Sequence, residues 1–421
     1  MASSNTHNIV IVGGNFSGVS VAHYLLRHTI PKLEAVNKST TYKVTLITPS
    51  THFFWKIAAP RAVADPKFDL DKIFLPIADG FKDYPSDHYA FVQGTATSIS
   101  PDPRTITVTL ESSSDTTVAY STLIIASGAK STSPLWAFHG AHTLTASVLS
   151  KYRDALRSAK TILVAGGGAA GVETAGEIAA CYPHAQKTIL SGASRLLPRL
   201  RPAIGKAAEQ HLLALGFEVV HDTKVTSSAP PGSETPTRTT LALSDGTTRT
   251  VDAYLDATGA TPNTAFVPQA WLSPAGHILT DAPTLRATAA PAASTPSATT
   301  FDIIDAVAPL CSSVLVDLSA GVDAGADPAP AAAVDAQNRM RSAYSSWWPG
   351  WAVKAQDAKG AQRFYKQGTA EMQVVPVGPR GGVGVVFGWQ VPSWFVWLIK
   401  SRTFMVEKAP GVVVGGAYVK A

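Results

Sequence analysis

An α/β chain with two Rossmann-like dinucleotide-binding domains and a small C-terminal α+β domain is what the sequence predicts, on three observations. A glycine-rich turn, Gly13-Gly14-Asn15-Phe16-Ser17-Gly18, follows an apolar strand at the start of the chain. A near-copy, Gly166-Gly167-Gly168-Ala169-Ala170-Gly171, follows the strand-like Thr161–Ala165 and opens a helix-like segment. The length of 421 residues suits two or three domains at about 150 residues each. Glycines in such a turn let backbone N–H groups approach a pyrophosphate, which then sits on the positive end of a helix. Two such turns imply two dinucleotides. The economical reading is FAD in the first fold and NADPH or NADH in the second, so that hydride passes between cofactors held face to face.

The elements follow in order. Asn8–Val12 reads as a buried parallel strand, Ser17–Arg27 as its crossover helix, and Tyr42–Thr48 as the second strand. Residues 51–84 carry aromatic and basic side chains, with Lys56 and Arg61 as candidate cofactor contacts. The strands Tyr89–Thr95 and Thr105–Leu110 come next, Ala96 being a further candidate contact. Leu123–Ile125 then runs into Ala126-Ser127-Gly128, small residues where a chain can cross close to a flavin. Residues 1–145 are thus the first part of the FAD domain, 146–264 the nicotinamide domain and 265–345 the second FAD part, with residues 346–421 as the C-terminal domain. Within the nicotinamide domain, Thr188–Ser191, Pro202–Leu215, Glu218–His221 and Tyr254–Gly259 repeat the strand and helix plan. Gly259-Ala260-Thr261-Pro262-Asn263 is its crossing back. The Ala/Pro/Ser-rich stretches 287–300 and 319–333 read as surface loops, and Thr300–Val307 between them as a buried strand carrying Asp302 and Asp305.

Departures from pattern carry information. Asn15 stands at the second glycine of the first turn, and asparagine tolerates left-handed backbone better than most residues. Neither second strand ends in the carboxylate that would bind a ribose diol: Thr48-Pro49-Ser50 stands in one place and Ser191-Gly192-Ala193-Ser194-Arg195 in the other. Two hydroxyls and Arg195 suit a 2′-phosphate better than a 2′-hydroxyl, favouring NADPH. Glu173, just inside the helix after the second turn, has two readings. It complements the helix dipole, or it sits at the nicotinamide–flavin contact and pairs with a lysine there.

Composition bounds the class. The only cysteines are Cys181 and Cys311, with no C-x-x-C, so electrons leave a flavin for a small molecule or dioxygen rather than for a protein disulfide. The first residues show no secretory pattern, and Ala2 stands where N-myristoylation needs glycine. The most apolar run, Val383–Ile399, is interrupted by Gly384, Gly388, Gln390, Pro392 and Ser393, so no membrane span of about 20 residues is expected. An intracellular, cytoplasmic protein is expected, with a membrane surface as a candidate partner and no metal. The net charge of +5 forms no basic run, and no nucleic-acid partner is expected. In the tail, Trp394, Trp397 and Leu398 are spaced as one helical stripe that packs on the C-terminal sheet or, failing that, dips into a membrane surface.

The segments IVGGNFSGVSVAHYLL, LIIASGA, VAGGGAAGVETAGEIA and DATGATPN, with the tail GVGVVFGWQVPSWFVWLIKSRTFM, resemble the apoptosis-inducing-factor family of flavoproteins. The resemblance is to the branch of the mitochondrion-associated inducer of death, also called ferroptosis suppressor protein, and spans nearly the whole chain. It implies a glutathione-reductase-like fold and FAD-dependent, NAD(P)H-driven reduction of quinone-like acceptors. By that resemblance Glu173 matches the glutamate at the nicotinamide, Lys400 a lysine near the flavin, and Asp305, followed by Ala306, the aspartate on the flavin ribityl chain. Ile304 stands where the family has glycine. A cation beside the flavin would stabilise its reduced form, with Lys400 the first candidate and Lys56 the second. Two other classes stay open: a flavin-dependent oxidase or monooxygenase of an aromatic or isoprenoid molecule, and a non-catalytic nucleic-acid-binding or signalling flavoprotein.

Overall fold

The computed structural model describes residues 5–230, 236–288, 300–320, 362–368 and 371–419. Its largest sheet runs in the order Asp115–Ala119, Arg104–Leu110, Tyr89–Pro101, Thr40–Thr48, Asn5–Val12, Thr122–Ile125. The last four pair in parallel, while the first two form an antiparallel extension. Ile9, Val10 and Ile11 are wholly buried, since a parallel strand is covered on both faces. The second sheet is all parallel, in the order Phe217–Val220, Gln186–Leu190, Thr161–Ala165, Ala253–Asp256. A three-stranded antiparallel sheet flanks it. A third unit pairs Gln373–Pro376, Gly382–Val386 and Trp389–Gln390. The fold is therefore the two-Rossmann α/β architecture with a small C-terminal domain.

The two crossings between the Rossmann units lie side by side. Ala129–Lys130 pairs antiparallel with Thr261–Pro262, and Ser127 Oγ donates to the Asn263 carbonyl at 2.7 Å. The C-terminal domain packs on the helix Ala169–Cys181 so closely that a Cβ on Gly176 would lie 2.2 Å from the Gly378 nitrogen.

Three expectations need correction. Thr300–Val307 is the start of a 20-residue helix, Thr300–Ser319, and not a strand. Val307, Cys311 and Val314 form its buried face at helical spacing, a period that a short apolar window cannot distinguish from a strand. Pro309 inside the helix further obscured the pattern. Asn15 is not left-handed: it is extended (φ −114°) and caps the helix Phe16–Tyr24, its side chain accepting from the Phe16 N–H. The stripe Trp394, Trp397 and Leu398 does not pack on the sheet, since the three side chains are exposed. A four-residue helix, Ser393–Val396, passes into a π-helical turn, Trp397–Ser401. The wider turn buries Val396 and Ser401, five residues apart, in place of the expected face. The stretches 289–299 and 321–333, expected as loops, lie outside the described residues.

Candidate active site

Both glycine turns have the same construction. Gly13 and Gly166 adopt φ of +118° and +122°, and a Cβ on either would lie 2.3–2.4 Å from a carbonyl oxygen of the neighbouring strand end, Ala126 or Ala257. A Cβ on Gly18 or Gly171 would strike the carbonyl of Gly13 or Gly166. The outer glycines are therefore required by the protein's own packing. Gly168 is different: a Cβ there would meet nothing within 4 Å, so the open space at this turn is not taken up by protein. The helices Phe16–Tyr24 and Ala169–Cys181 both begin at these turns, and their first amides have no intrahelical acceptor. Each turn is a cradle of donors at the positive end of a helix, which fits a pyrophosphate. Ser17 and Ala170 lie in those first turns, and Gly14 packs on the Thr48 side chain as Gly167 does on Ser191.

The helix Ala169–Cys181 carries two buried carboxylates one turn apart, Glu173 and Glu177. Each meets a cation. Lys400 Nζ donates to Glu173 Oε1 at 2.6 Å. Arg61 grips Glu177 with two bonds, Nε to Oε2 at 2.7 Å and Nη2 to Oε1 at 2.9 Å. Burial pushes both carboxyls upward, and the neighbouring ammonium and guanidinium draw them back. The same guanidinium donates to the carbonyls of Ser401 at 2.7 Å and Arg402 at 2.9 Å. Arg61 is thus a correction to the expected cofactor contact: its donors are taken up by protein, at the junction of helix and tail.

Lys56 stands apart. No partner meets it among the described residues; it is accessible to solvent, yet the surrounding protein desolvates it enough to lower its pKa. The neighbouring Phe53, Phe54 and Trp55 are fully buried, and Trp55 Nε1 donates to the Phe404 carbonyl at 2.9 Å, tying this segment to the tail.

The remaining candidates are spread along the cradle. Gly128 is left-handed (φ +68°) with open space at its Cβ, and its carbonyl accepts from the Asn263 amide. Gly259 likewise has nothing within 4 Å of its Cβ position. Ala96 lies beside a bulge in the antiparallel extension and packs into the apolar cluster of Val10 and Val12. Asp305 and Ala306 lie on the helix Thr300–Ser319, which packs on Phe16–Tyr24, and burial together with Asp302 raises the Asp305 carboxyl to about 6. A small cavity between them is lined by Phe16, Ser20, Ile303, Ile304, Val412 and Tyr418.

At the second strand end, Ser191 Oγ donates to the Arg195 carbonyl and so serves the loop itself. Arg195 Nη2 donates to the Pro198 and Leu200 carbonyls, which pins the side chain, while Nε is buried without a partner. Lys224, which sequence reasoning missed, lies across this loop: its aliphatic chain is 2.8 Å from the Cβ position of Gly192. No motif marks it; only the turn after Phe217–Val220 brings it there.

Both cysteines are free thiols. Burial raises Cys181 to about 11 and Cys311 well above the usual thiol range, so neither is a thiolate at neutral pH.

Comparison with known proteins agrees with the fold. A family model for pyridine nucleotide-disulphide oxidoreductases matches residues 7–289. The oxidoreductase phnG of Penicillium herquei is 32% identical over 444 residues, covering 99% of this chain and 98% of its own length. The oxidoreductase ptaL of Pestalotiopsis fici is 37% identical over 65% of this chain and 72% of its own. Ferroptosis suppressor protein 1 of Xenopus laevis is 29% identical over 52% of this chain and 53% of its own. Among solved structures, a NAD-dependent persulfide reductase from A. fulgidus superposes with a TM-score of 0.52 at 19% identity, over 67% of this chain and 51% of that one. At that identity the likeness is one of fold.

Proposed function

The chain belongs to the pyridine nucleotide-disulphide oxidoreductase family, and on that footing we propose that it reduces a planar, quinone-like acceptor at a face built around Glu173 and Lys400. It is an apoptosis-inducing-factor-like flavoprotein oxidoreductase, its cofactors are FAD and NAD(P)H, and its acceptor is a small molecule. FAD, when bound, supplies the chemistry of taking a hydride from NAD(P)H and releasing two electrons to the acceptor.

The protein's part is placement and electrostatics. The Gly13–Gly18 turn and the Phe16–Tyr24 helix would hold the FAD pyrophosphate, and the Gly166–Gly171 turn that of the nicotinamide. Glu173 belongs to the helix that begins at the nicotinamide cradle, and Lys400 to the tail; their bond joins the two. That buried pair is the observation that carries the reading. On this reading it sets a fixed ion pair beside the place where a nicotinamide ring and a flavin would meet, and such placement is worth most where water is excluded. Lys56, without a partner among the described residues, is the second candidate cation on this reading. Unlike members that use a thiol pair, this chain has two cysteines held as neutral thiols, which supports direct delivery of electrons to a diffusible acceptor.

NADPH serves at least as well as NADH on this reading, because Arg195 and Lys224 flank the second strand end where no carboxylate stands. The acceptor is lipophilic and reached from a lipid surface. Phe387, Trp389, Trp394, Trp397 and Leu398 are exposed, and the same segment carries two exposed cations, Arg380 and Arg402. Exposed tryptophans beside cations suit the interface of an anionic bilayer. Among the described residues no helix is long and apolar enough to cross a membrane.

The test is NAD(P)H oxidation with a panel of short- and long-chain quinones, with and without dioxygen and anionic liposomes. Quinone-dependent turnover, with the long-chain substrates slowed by the combined substitution Trp394→Ser and Trp397→Ser, supports the reading. Turnover that needs dioxygen and ignores quinones replaces it with oxygen chemistry.

A further inference from the structure

Resting on the role proposed for Glu173 and Lys400, we propose that Arg61 is a positioning residue: it holds the Lys400 ammonium on Glu173 by clamping the backbone that follows Lys400. Four observations converge. Arg61 donates to the Ser401 and Arg402 carbonyls, the two peptide groups immediately beyond Lys400. Its bidentate partner Glu177 lies one helical turn beyond Glu173, so the clamp and the ion pair share one rigid helix. The Phe404 ring, wholly buried, lies beneath both cations, 4.7 Å from the Arg61 guanidinium carbon and 5.9 Å from Lys400 Nζ. Lys400 itself belongs to a π-helical turn, a geometry that is rare and frequent at functional sites.

A lysine side chain has many rotamers, and the placing of its backbone limits which of them reach Glu173. The planar fork of arginine can serve a carboxylate and two carbonyls together, which the single ammonium of a lysine cannot. Arg61 has that fork, and at the one place where it fixes the chain next to Lys400. Ser401 contributes from below, its hydroxyl donating to the Gly381 carbonyl at 2.9 Å. The pair Glu173–Lys400 is thereby set by Arg61 and Glu177 together with the Phe404 ring beneath Lys400.

The experiment uses the FAD-loaded full chain and three variants: Arg61→Lys, the neutral double Arg61→Gln/Glu177→Gln, and Lys400→Met. The double variant avoids leaving Glu177 buried without its partner. The first readout is the pH dependence of unfolding midpoint. In the double variant Glu173 loses its fixed ammonium, so its destabilisation should shrink as pH falls from neutral towards 5, as it should in Lys400→Met. The second readout is NADPH-driven bleaching of the flavin under anaerobic mixing, expected to slow about tenfold to a hundredfold in the double variant and in Arg61→Lys, the scale of a small misplacement of a working group. Introducing Lys400→Met into the double variant should add nothing further to either readout. A merely structural arginine would give a pH-independent loss of stability, unchanged bleaching, and additive effects with Lys400→Met, and any of these overturns the proposal. If Lys400→Met itself leaves bleaching unchanged, the role of the Glu173–Lys400 pair fails instead, and the two failures are told apart.

Discussion

Replacing Lys400 by methionine keeps the length of the side chain and removes its charge, so Glu173 is left buried with no cation in contact. Glu173 is 5% exposed and sits 2.6 Å from the ammonium. Removing one partner of such a pair costs about 3–5 kcal/mol. A carboxylate has an escape, however, because it can take up a proton. The cost then cannot exceed the work of protonating a glutamate that would be ionised in the unfolded chain. From an ordinary value of about 4.3, that work is about 1.4 kcal/mol per pH unit, or about 3.7 kcal/mol at pH 7 and about 1.6 kcal/mol at pH 5.5. The sign follows from Glu173 being an acid whose folded pKa is pushed upward: the penalty is present at neutral pH and is relieved as pH falls. Urea unfolding of parent and Lys400→Met across this range measures it. The difference should be largest near neutral pH and fall by more than half by pH 5.5. A difference that is the same at both pH values, or absent, would refute the reasoning, because Glu173 would not then be an anion held by Lys400.

Two further outcomes follow. Arg195→Ala with Lys224→Ala should weaken NADPH binding about tenfold or more, the scale of lost charge-assisted hydrogen bonds, and leave NADH untouched; equal weakening of both would show that the loop recognises no 2′-phosphate. His23, wholly buried on the helix Phe16–Tyr24, gives its Nε2–H to the Val413 carbonyl at 2.7 Å, and Nδ1 accepts from the Tyr84 hydroxyl. Burial lowers its pKa from 6.5 to about 4. Such a histidine binds protons better when released, so the latch on residues 409–418 should lose stability as pH falls from 6.5 towards 4, by about 2 kcal/mol at pH 5. Hydrogen exchange of those amides, corrected for intrinsic rates, checks it, and protection unchanged between pH 7 and 5 would contradict it.

Much of the scaffold was legible in the sequence, because its signals are local. The outer glycines at 13, 18, 166 and 171 are dictated by contacts within a few residues or with the next strand, and Thr161–Ala165 forms the strand its apolar run predicts. The failures came where local patterns are degenerate or distant contacts decide. Thr300–Val307 offered too short a window to separate strand from helix. Asn15 was assigned by backbone tolerance, whereas the structure uses its side-chain oxygen as a cap. The tail stripe presumed a regular helix, and a π-turn moved its buried face. Arg61 is bound by Glu177, Ser401 and Arg402, which lie over a hundred positions away in the chain, so no local pattern marks its role. Lys224 carried no signal at all until the fold brought it against Gly192.

The most direct test of electron flow through this face is a double-mixing experiment without oxygen. The FAD-loaded protein is mixed first with NADPH and then with a quinone, while the visible absorbance of the flavin is followed in the parent and in Glu173→Gln. The expected result is rapid bleaching by NADPH and rapid return of colour on adding quinone in the parent, with bleaching slowed by about an order of magnitude or more in Glu173→Gln. Bleaching at equal rates in the two proteins would reduce Glu173 to a complement of its helix dipole, worth well under about 1 kcal/mol. Colour that returns only when oxygen is admitted would show that the acceptor is not a quinone.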